Sequence, residues 1–277
     1  MTLATLTDVL GPALMGGHAV AGLVVLGWED ARAYVAAADA EGVPVILQAG
    51  PGARAHTPLP VLAAMFRTLA ETAGVPVVAH LDHGQSLQEC RQALDCGFTS
   101  VMYDGSHLPL DQNIAVTAEA AAMAHAAGAS CEGEIGFVGY AGGAGSCGTD
   151  PAKAARFAAE TGVDAMAVSV GNLHLQQGHG GRLDEDRIRA IGALCQVPLV
   201  IHGGSGVPMD QRRHLARYST VCKFNIGTEL RMVFGQALRA AVNRDPARFD
   251  RVQILSEVHQ PLMLATRAIL RNLAGDS

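Results

Sequence analysis

The sequence predicts an α/β protein, a (β/α)8 TIM barrel with extra C-terminal helices, on three observations. Eight short β-rich apolar runs recur along the chain, with Ala-rich stretches of helical periodicity between them. The length of 277 residues suits a barrel of about 250 residues with short extensions. No Pro/Gly/Ser-rich linker or composition break divides the chain, so residues 1–277 read as a single barrel domain.

In chain order the strand candidates are AVAGLVVL from Ala19, VPVILQAG from Val43, VPVVAHLD from Val75 and SVMYDGS from Ser100, then ASCEGEIG from Ala129, AMAVSVG from Ala165, PLVIHGG from Pro198 and VCKFNIGT from Val221. The spacers, among them ARAYVAAADAEG, LPVLAAMFRTLAETAG and QECRQALDCG, carry apolar residues at helical spacing and mostly end on a glycine suited to a helix C-cap. An open doubly wound sheet is the alternative, but it needs a topological switch point that this regular rhythm does not mark. After the eighth strand come two helical stretches, TELRMVFGQALRAAVNRD and DRVQILSEVHQPLMLATRAILRNLAGDS. The second carries Leu262, Leu264, Ile269, Leu270 and Leu273, and an apolar helix outside a finished barrel needs a cover, for which contact with a second subunit is preferred over plain packing on the barrel.

Composition excludes several classes of function. With 49% hydrophobic and 17% charged residues the chain is too apolar for disorder, and with 4% aromatics it lacks the stacking platform of a single-strand nucleic-acid binder. A net charge of −6 with no Lys/Arg cluster argues against nucleic acid and anionic membranes as partners. The opening residues have no basic n-region, and their longest apolar run, Ala19 to Leu26, is too short to span a bilayer, so a cytoplasmic protein is expected. Six cysteines without a C-x-x-C or a regular framework read as reduced thiols.

The residues able to do chemistry fall at the carboxyl ends of the predicted strands, which converge on one mouth in a parallel barrel. His80, Asp82 and His83 close the third strand; Asp104, Ser106 and His107 close the fourth; Glu132 and Glu134 lie on the fifth. His174 follows the sixth, His202 and Ser205 the seventh, and Asn225 and Thr228 end the eighth. A lone histidine at a strand end is usually a satisfied structural group, but three on three strands beside carboxylates suit a zinc site with an open position, and the candidates are His83, His174 and His202. Asp104 and Glu134 are further candidate ligands, for this ion or for a second monovalent or divalent cation. A hydrogen-bonding role beside a ligand is equally open for Glu134. Asp82 is the candidate to move a proton beside a carbonyl polarised by the ion, against the plainer role of a hydrogen bond to a histidine.

HGGSG (His202 to Gly206) and NIGT (Asn225 to Thr228) offer small residues, backbone N–H groups and hydroxyls where barrels often bind phosphate, although the glycines could serve tight turns alone. A competing G-x-G-x-x-G match runs from Gly143 through Gly145 to Gly148, with Asp164 at a plausible distance for a ribose contact. The segment from Tyr140 is a long glycine-rich loop rather than a tight turn, so a mobile lid suits it better. A Schiff-base mechanism has only two lysines to draw on. Lys153 follows a helix-start signal and faces water, whereas Lys223 shares parity with Asn225 and points inward.

HLDHG at His80 to Gly84, SVMYDGSHLP at Ser100 to Pro109, CEGEIG at Cys131 to Gly136, SVGNLH at Ser169 to His174, PLVIHGGSG at Pro198 to Gly206 and CKFNIGTELR at Cys222 to Arg231 together resemble the class II, metal-dependent ketose-bisphosphate aldolases. The resemblance spans nearly the whole chain. It implies a lyase that reversibly cleaves a ketose phosphate to dihydroxyacetone phosphate and an aldehyde through a metal-stabilised enediolate. It further implies Zn2+, with Co2+ or Mn2+ as substitutes, on His83, His174 and His202, and Asp82 as proton donor. The dihydroxyacetone phosphate end would be held by Gly203, Ser205, Asn225, Gly227 and Thr228, in a homodimer or homotetramer.

Three departures stand out. The family usually has Phe-Asn where this chain has Leu23-Val24, and glycine where it has Leu175; the family's acidic residues are missing from GYAGGAGSCGTD, whose only acid, Asp150, reads as a helix cap. Leucine disfavours φ > 0, so the loop from His174 to Gly181 is expected to follow a different path. A diverged substrate is the expectation, with a metal- or sugar-phosphate-binding module of lost or altered catalysis, or a lyase for an unphosphorylated keto acid or sugar, as alternatives.

Overall fold

The computed structural model describes residues 2–140, 146–176, 178, 180 and 182–275. In chain order the elements are β1 (Leu3–Ala4), α1 (Leu6–Gly16), β2 (Val20–Val24), α2 (Trp28–Glu41), β3 (Val45–Ala49), α3 (Pro51–His56), α4 (Leu59–Thr72), β4 (Val77–Gly84), α5 (Leu87–Asp95), β5 (Ser100–Tyr103) and α6 (Leu110–Ala126). The second half runs β6 (Ser130–Ile135), α7 (Pro151–Thr161), β7 (Ala165–Val168), α8 (Glu185–Leu194), β8 (Leu199–Ile201), α9 (Met209–Tyr218), β9 (Val221–Ile226), α10 (Thr228–Arg244), α11 (Arg251–Ser256) and α12 (His259–Leu273).

Each of the eight strands read from the sequence forms, β2 through β9. Parallel pairing in the order β4, β3, β2, β9, β8, β7, β6, β5 closes on itself through β4 and β5, which makes the TIM barrel. The short β1 pairs with Val77 and Val78 of β4, the part of that strand below the level at which β5 begins to pair. The main core lies between the sheet and the helices outside it, where β-branched and aliphatic strand residues meet alanines of α2, α4, α6 and α7.

Inside the barrel the floor is apolar. Val20, Ile46, Val78, Met102, Ala165, Ala167 and Val200 pack against Leu6, Val9, Leu10 and Ala13 of α1. Thr5 and Asp8 start α1 as a reciprocal cap, each side chain accepting from the other's backbone N–H. Two residues further along the strands the interior turns polar, as period two requires: Gln48 follows Ile46, and His80 then Asp82 follow Val78.

The last apolar stretch divides into α11 and α12, and α12 lies along α2. Leu262, Ile269, Leu270 and Leu273 are buried there, and Leu264 alone of the five points out. This corrects the expectation that the final helix needs a second subunit for cover: its apolar stripe is spent on the barrel, and Glu41 fastens the contact by pairing with Arg267 and Arg271. No helix among the described residues is long and apolar enough to cross a membrane. All six cysteines are free thiols.

Candidate active site

At the end of β4 two consecutive residues face the same mouth, which a regular strand forbids. A register shift between Leu81 and Gly84 and a left-handed backbone at His83 (φ 53°) turn the imidazole inward beside Asp82. Arg54, on α3, holds the strained turn. Its Nη1 donates to the carbonyls of Ala49 and Asp82 and its Nη2 to that of His83, while Glu89 accepts from the same guanidinium.

His174 arrives on the loop after β7, its N–H donating to the Gly139 carbonyl at 2.8 Å and its ring packed on Tyr140. The Asn172 Nδ2 donates to the His202 carbonyl, which ties this loop to the end of β8. The three rings come together with centroids 4.6 to 5.7 Å apart, and one nitrogen from each of His83, His174 and His202 lies within 4.8 Å of the others. A second group of the same tightness joins His83 with Asp104 and Glu134.

Electrostatics suit a cation. Burial works against a charged His83, but Asp82, Asp104 and Glu134 outweigh it and hold the imidazole up at about 10. Burial and the neighbouring imidazoles push His174 down to about 3. Burial raises Glu134 to about 7, whereas Asp104 stays well below the usual carboxylate range despite its burial, because His83 and Ser106 hydrogen-bond it. The His202 Nδ1 and the Glu134 Oε2 are buried, 3.5 Å apart and without a hydrogen-bond partner. Two orphaned lone-pair atoms at a cluster of imidazoles and carboxylates are the donor set a divalent cation would satisfy.

Asp82 is 5% exposed, and its Oδ1 accepts from Gln48 Nε2 (3.0 Å) and Asn225 Nδ2 (3.2 Å). On the β8 and β9 side Gly203 takes φ 65°, and a Cβ there would lie 2.1 Å from the Leu173 carbonyl oxygen, so this turn needs glycine. Ser205 Oγ accepts from the N–H groups of Gly227 and Glu229, capping the start of α10 while its own hydroxyl proton remains available. Gly203, Ser205, Asn225, Gly227 and Thr228 line one pocket with Asp82, His83, Asp104 and His174.

Other sequence candidates lie elsewhere. His80 is buried below the mouth, bonded to Ser100, and His107 is exposed. Lys153 is exposed and follows Asp150, which caps α7 as read. Lys223 points inward but is fully buried and ion-paired with Glu132, outside the pocket, which counts against an imine there. Gly143 and Gly145, with the suggested lid around them, lie outside the described residues. Gly148 sits under the Arg187 guanidinium, and Asp164 bonds His125 and the Cys131 N–H just before β7 begins, at the end of the strands opposite the glycine loop that follows β6, so the two do not share a site.

One expectation is overturned at Leu175. It adopts φ 59°, the left-handed geometry leucine was expected to exclude, and it lines the pocket with half its surface exposed. The His174 N–H bond to Gly139 and the Asn172 tie fix the turn, and the strain of about 1 to 2 kcal/mol is borne by the fold. Sequence reasoning also passed over Gln48, Arg54, Tyr140 and Arg231, which line the site or brace it. Of these only Gln48 carried a signal, as an amide at an inward position of an otherwise apolar strand.

Fold and site together define a barrel enzyme whose chemistry sits at the carboxyl ends of its strands. The chain belongs to the class II fructose-bisphosphate aldolase family, whose model matches residues 4–275, and is a lyase of the aldolase type. It is 35% identical over 262 residues to a fructose-bisphosphate aldolase of Geobacillus stearothermophilus, covering 92% of this chain and 91% of that one. It is equally 35% identical, over 263 residues, to a 6-phospho-5-dehydro-2-deoxy-D-gluconate aldolase of Shouchella clausii, covering 93% and 89%. Among solved structures the YdjI aldolase of Escherichia coli K12 superposes with a TM-score of 0.86 at 29% identity, over 99% of this chain and 98% of that one.

Proposed function

We propose that this protein is a zinc-dependent aldolase that cleaves a ketose phosphate to dihydroxyacetone phosphate and an aldehyde, and joins them in reverse. The observation that carries the reading is the cluster of His83, His174 and His202 from three strand ends, with the His202 Nδ1 buried and unpartnered, beside the Asp82 carboxylate. These three imidazoles would hold Zn2+, with Co2+ or Mn2+ as substitutes, and the Asp104 and Glu134 carboxylates would serve this ion or a second cation beside it. A bound ion supplies Lewis-acid stabilisation of the negative charge that develops on the ketose oxygen when the C–C bond breaks.

Asp82 takes the hydroxyl proton during cleavage and returns it to the aldehyde oxygen during condensation. Gln48 and Asn225 occupy its Oδ1, which leaves Oδ2 to do so. Gly203, Ser205, Gly227 and Thr228 bind the phosphate of the dihydroxyacetone end through backbone N–H groups and hydroxyls at the N-terminus of α10, and Asn225 lines the pocket beside them with its amide nitrogen on Asp82.

The aldehyde end differs from that of fructose 1,6-bisphosphate. Two relatives of equal identity carry the names of different substrates, so likeness leaves this end open. Val24 places a methyl surface in the pocket, Leu175 places another, and Arg231 brings a guanidinium to the rim. A retro-aldol screen tests the reading, run with zinc, cobalt and manganese over ketose mono- and bisphosphates and unphosphorylated keto sugars, with the released carbonyl products trapped. We expect metal-dependent cleavage of a ketose phosphate, with fructose 1,6-bisphosphate a poor substrate. Activity that survives exhaustive chelation and is lost to borohydride with substrate would refute the zinc site.

The homo-oligomer belongs to the same proposal, with its surface moved from α12 to the arm made by α10 and α11. Only Leu230 and Ala241 are buried on α10 and none on α11, while Phe249 is 95% and Val252 73% exposed. A second copy covers them. Light scattering of the parent should give a multiple of the chain mass and of Phe249→Asp/Val252→Asp a smaller one, and a monomeric parent would remove the proposal.

A further inference from the structure

Below the mouth lie three ionisable side chains that the proposed chemistry does not use, Glu132, His80 and Lys223, packed against the proposed ligand His202. Glu132, His80, Lys223 and His202 are all 0% exposed. Glu132 Oε1 is 3.0 Å from His202 Nε2, and its Oε2 is 2.6 Å from Lys223 Nζ. Lys223 Nζ is also 3.5 Å from His80 Nε2, and His80 Nδ1 is 2.8 Å from Ser100 Oγ. A carboxylate and an ammonium buried together cost several kcal/mol each in desolvation, and well-packed apolar residues often serve stability as well. A pure packing role therefore gives this pair little reason to sit under an active site.

The geometry points to Glu132 as a positioning residue, oriented by Lys223, that fixes His202 in the tautomer with its proton on Nε2 and a bare Nδ1 facing the imidazole cluster, a role that rests on the metal reading above. A carboxylate oxygen only accepts, so the His202 Nε2 must carry the hydrogen, and a neutral imidazole then keeps its lone pair on Nδ1. That atom is the one left without a partner. Lys223 claims the other carboxylate oxygen and balances the charge. The arrangement is a carboxylate–histidine pair of the kind that orients a metal ligand from behind.

The chemistry yields a sharp reversal. In Glu132→Gln the buried Lys223 still needs an acceptor, so the amide oxygen turns to Lys223 and the NH2 faces His202. That NH2 donates to Nε2 and drives the proton onto Nδ1. In the double variant Glu132→Gln/Lys223→Met the lysine is gone, and the amide oxygen can turn back to accept from Nε2–H.

The test reads the His202 tautomer from imidazole ¹⁵N shifts of the metal-free protein, and zinc affinity by chelator competition. We expect an Nε2–H tautomer in the parent, an Nδ1–H tautomer with zinc affinity 10- to 100-fold weaker in Glu132→Gln, and recovery of both in the double variant. Retention of the Nε2–H tautomer in Glu132→Gln overturns the inference, as does unchanged zinc affinity despite a switched tautomer. Recovery in the double variant separates positioning from lost folding, because a merely structural defect would grow with the second substitution. A parent that binds no zinc while its tautomer obeys these expectations would count against the metal reading rather than against the tautomer control.

Discussion

The same strands build both ends of the barrel interior, and the two ends obey opposite rules. At the floor, Val20, Ile46, Val78 and Val200 meet the apolar face of α1, and nothing there needs a particular functional group. At the mouth, two to four residues further along, Asp82, Glu134, His202 and Asn225 are buried with polar atoms close-packed, some of them unpartnered. The floor contributes stability through burial, whereas the mouth gives stability up by holding charges and orphaned donors and acceptors in a low dielectric. Strain divides the same way: His83 and Leu175, the two non-glycine residues with positive φ among those described, both line the mouth.

Substitutions can break or sharpen this contrast. The largest effect is expected for Asp82→Ala, which should lower the turnover rate by about 10² to 10⁴ while bound metal, by elemental analysis, and the melting temperature stay near the parent's. Parent-like turnover would leave Asp82 a structural residue. At the floor the sign of the experiment reverses. Leu10→Ala should cost about 2 to 5 kcal/mol in denaturant unfolding and leave kcat per folded molecule unchanged. A loss of kcat there would mean that floor and mouth are coupled.

Smaller shifts probe the mouth's apolar wall. Val24→Asn supplies an amide at the pocket edge and should raise kcat/KM for fructose 1,6-bisphosphate relative to the preferred substrate by about 1 to 3 kcal/mol, roughly 5- to 150-fold. An unchanged ratio would put specificity elsewhere. Leu175→Gly should move unfolding free energy by less than about 1 kcal/mol, since relief of left-handed strain offsets the added freedom of the unfolded chain. A loss well above that would show that the leucine side chain packs more than it strains.

The alternation of short apolar runs with stretches of helical periodicity made the fold legible, and the barrel strands sit where those runs placed them. The exception is β1, because two residues carry no periodicity to read. Within the site, strand-end histidines and acids declared themselves by type and position. Arg54 did not, because its role lies in three backbone carbonyls that no sequence marks. Leu175 misled for the opposite reason: residue preference is a local energy of about 1 to 2 kcal/mol, and tertiary hydrogen bonds around His174 overrule it. The final helix misled because its apolar stripe could be matched to a partner only once the position of α2 was known.

The seat of α1 bears on how the chain is made. Leu6 donates its N–H to Ser130 on β6, and its apolar face rests against residues as distant as Val200 and Cys222. On a ribosome, α1 emerges before every barrel strand yet is among the last of these elements to find its place, since β9 ends at Ile226. Until then Leu6, Val9 and Leu10 stay uncovered, a sticky flag displayed throughout synthesis and withdrawn when the ring closes. A chaperone that reads exposed leucines would in effect be reading whether the barrel is finished.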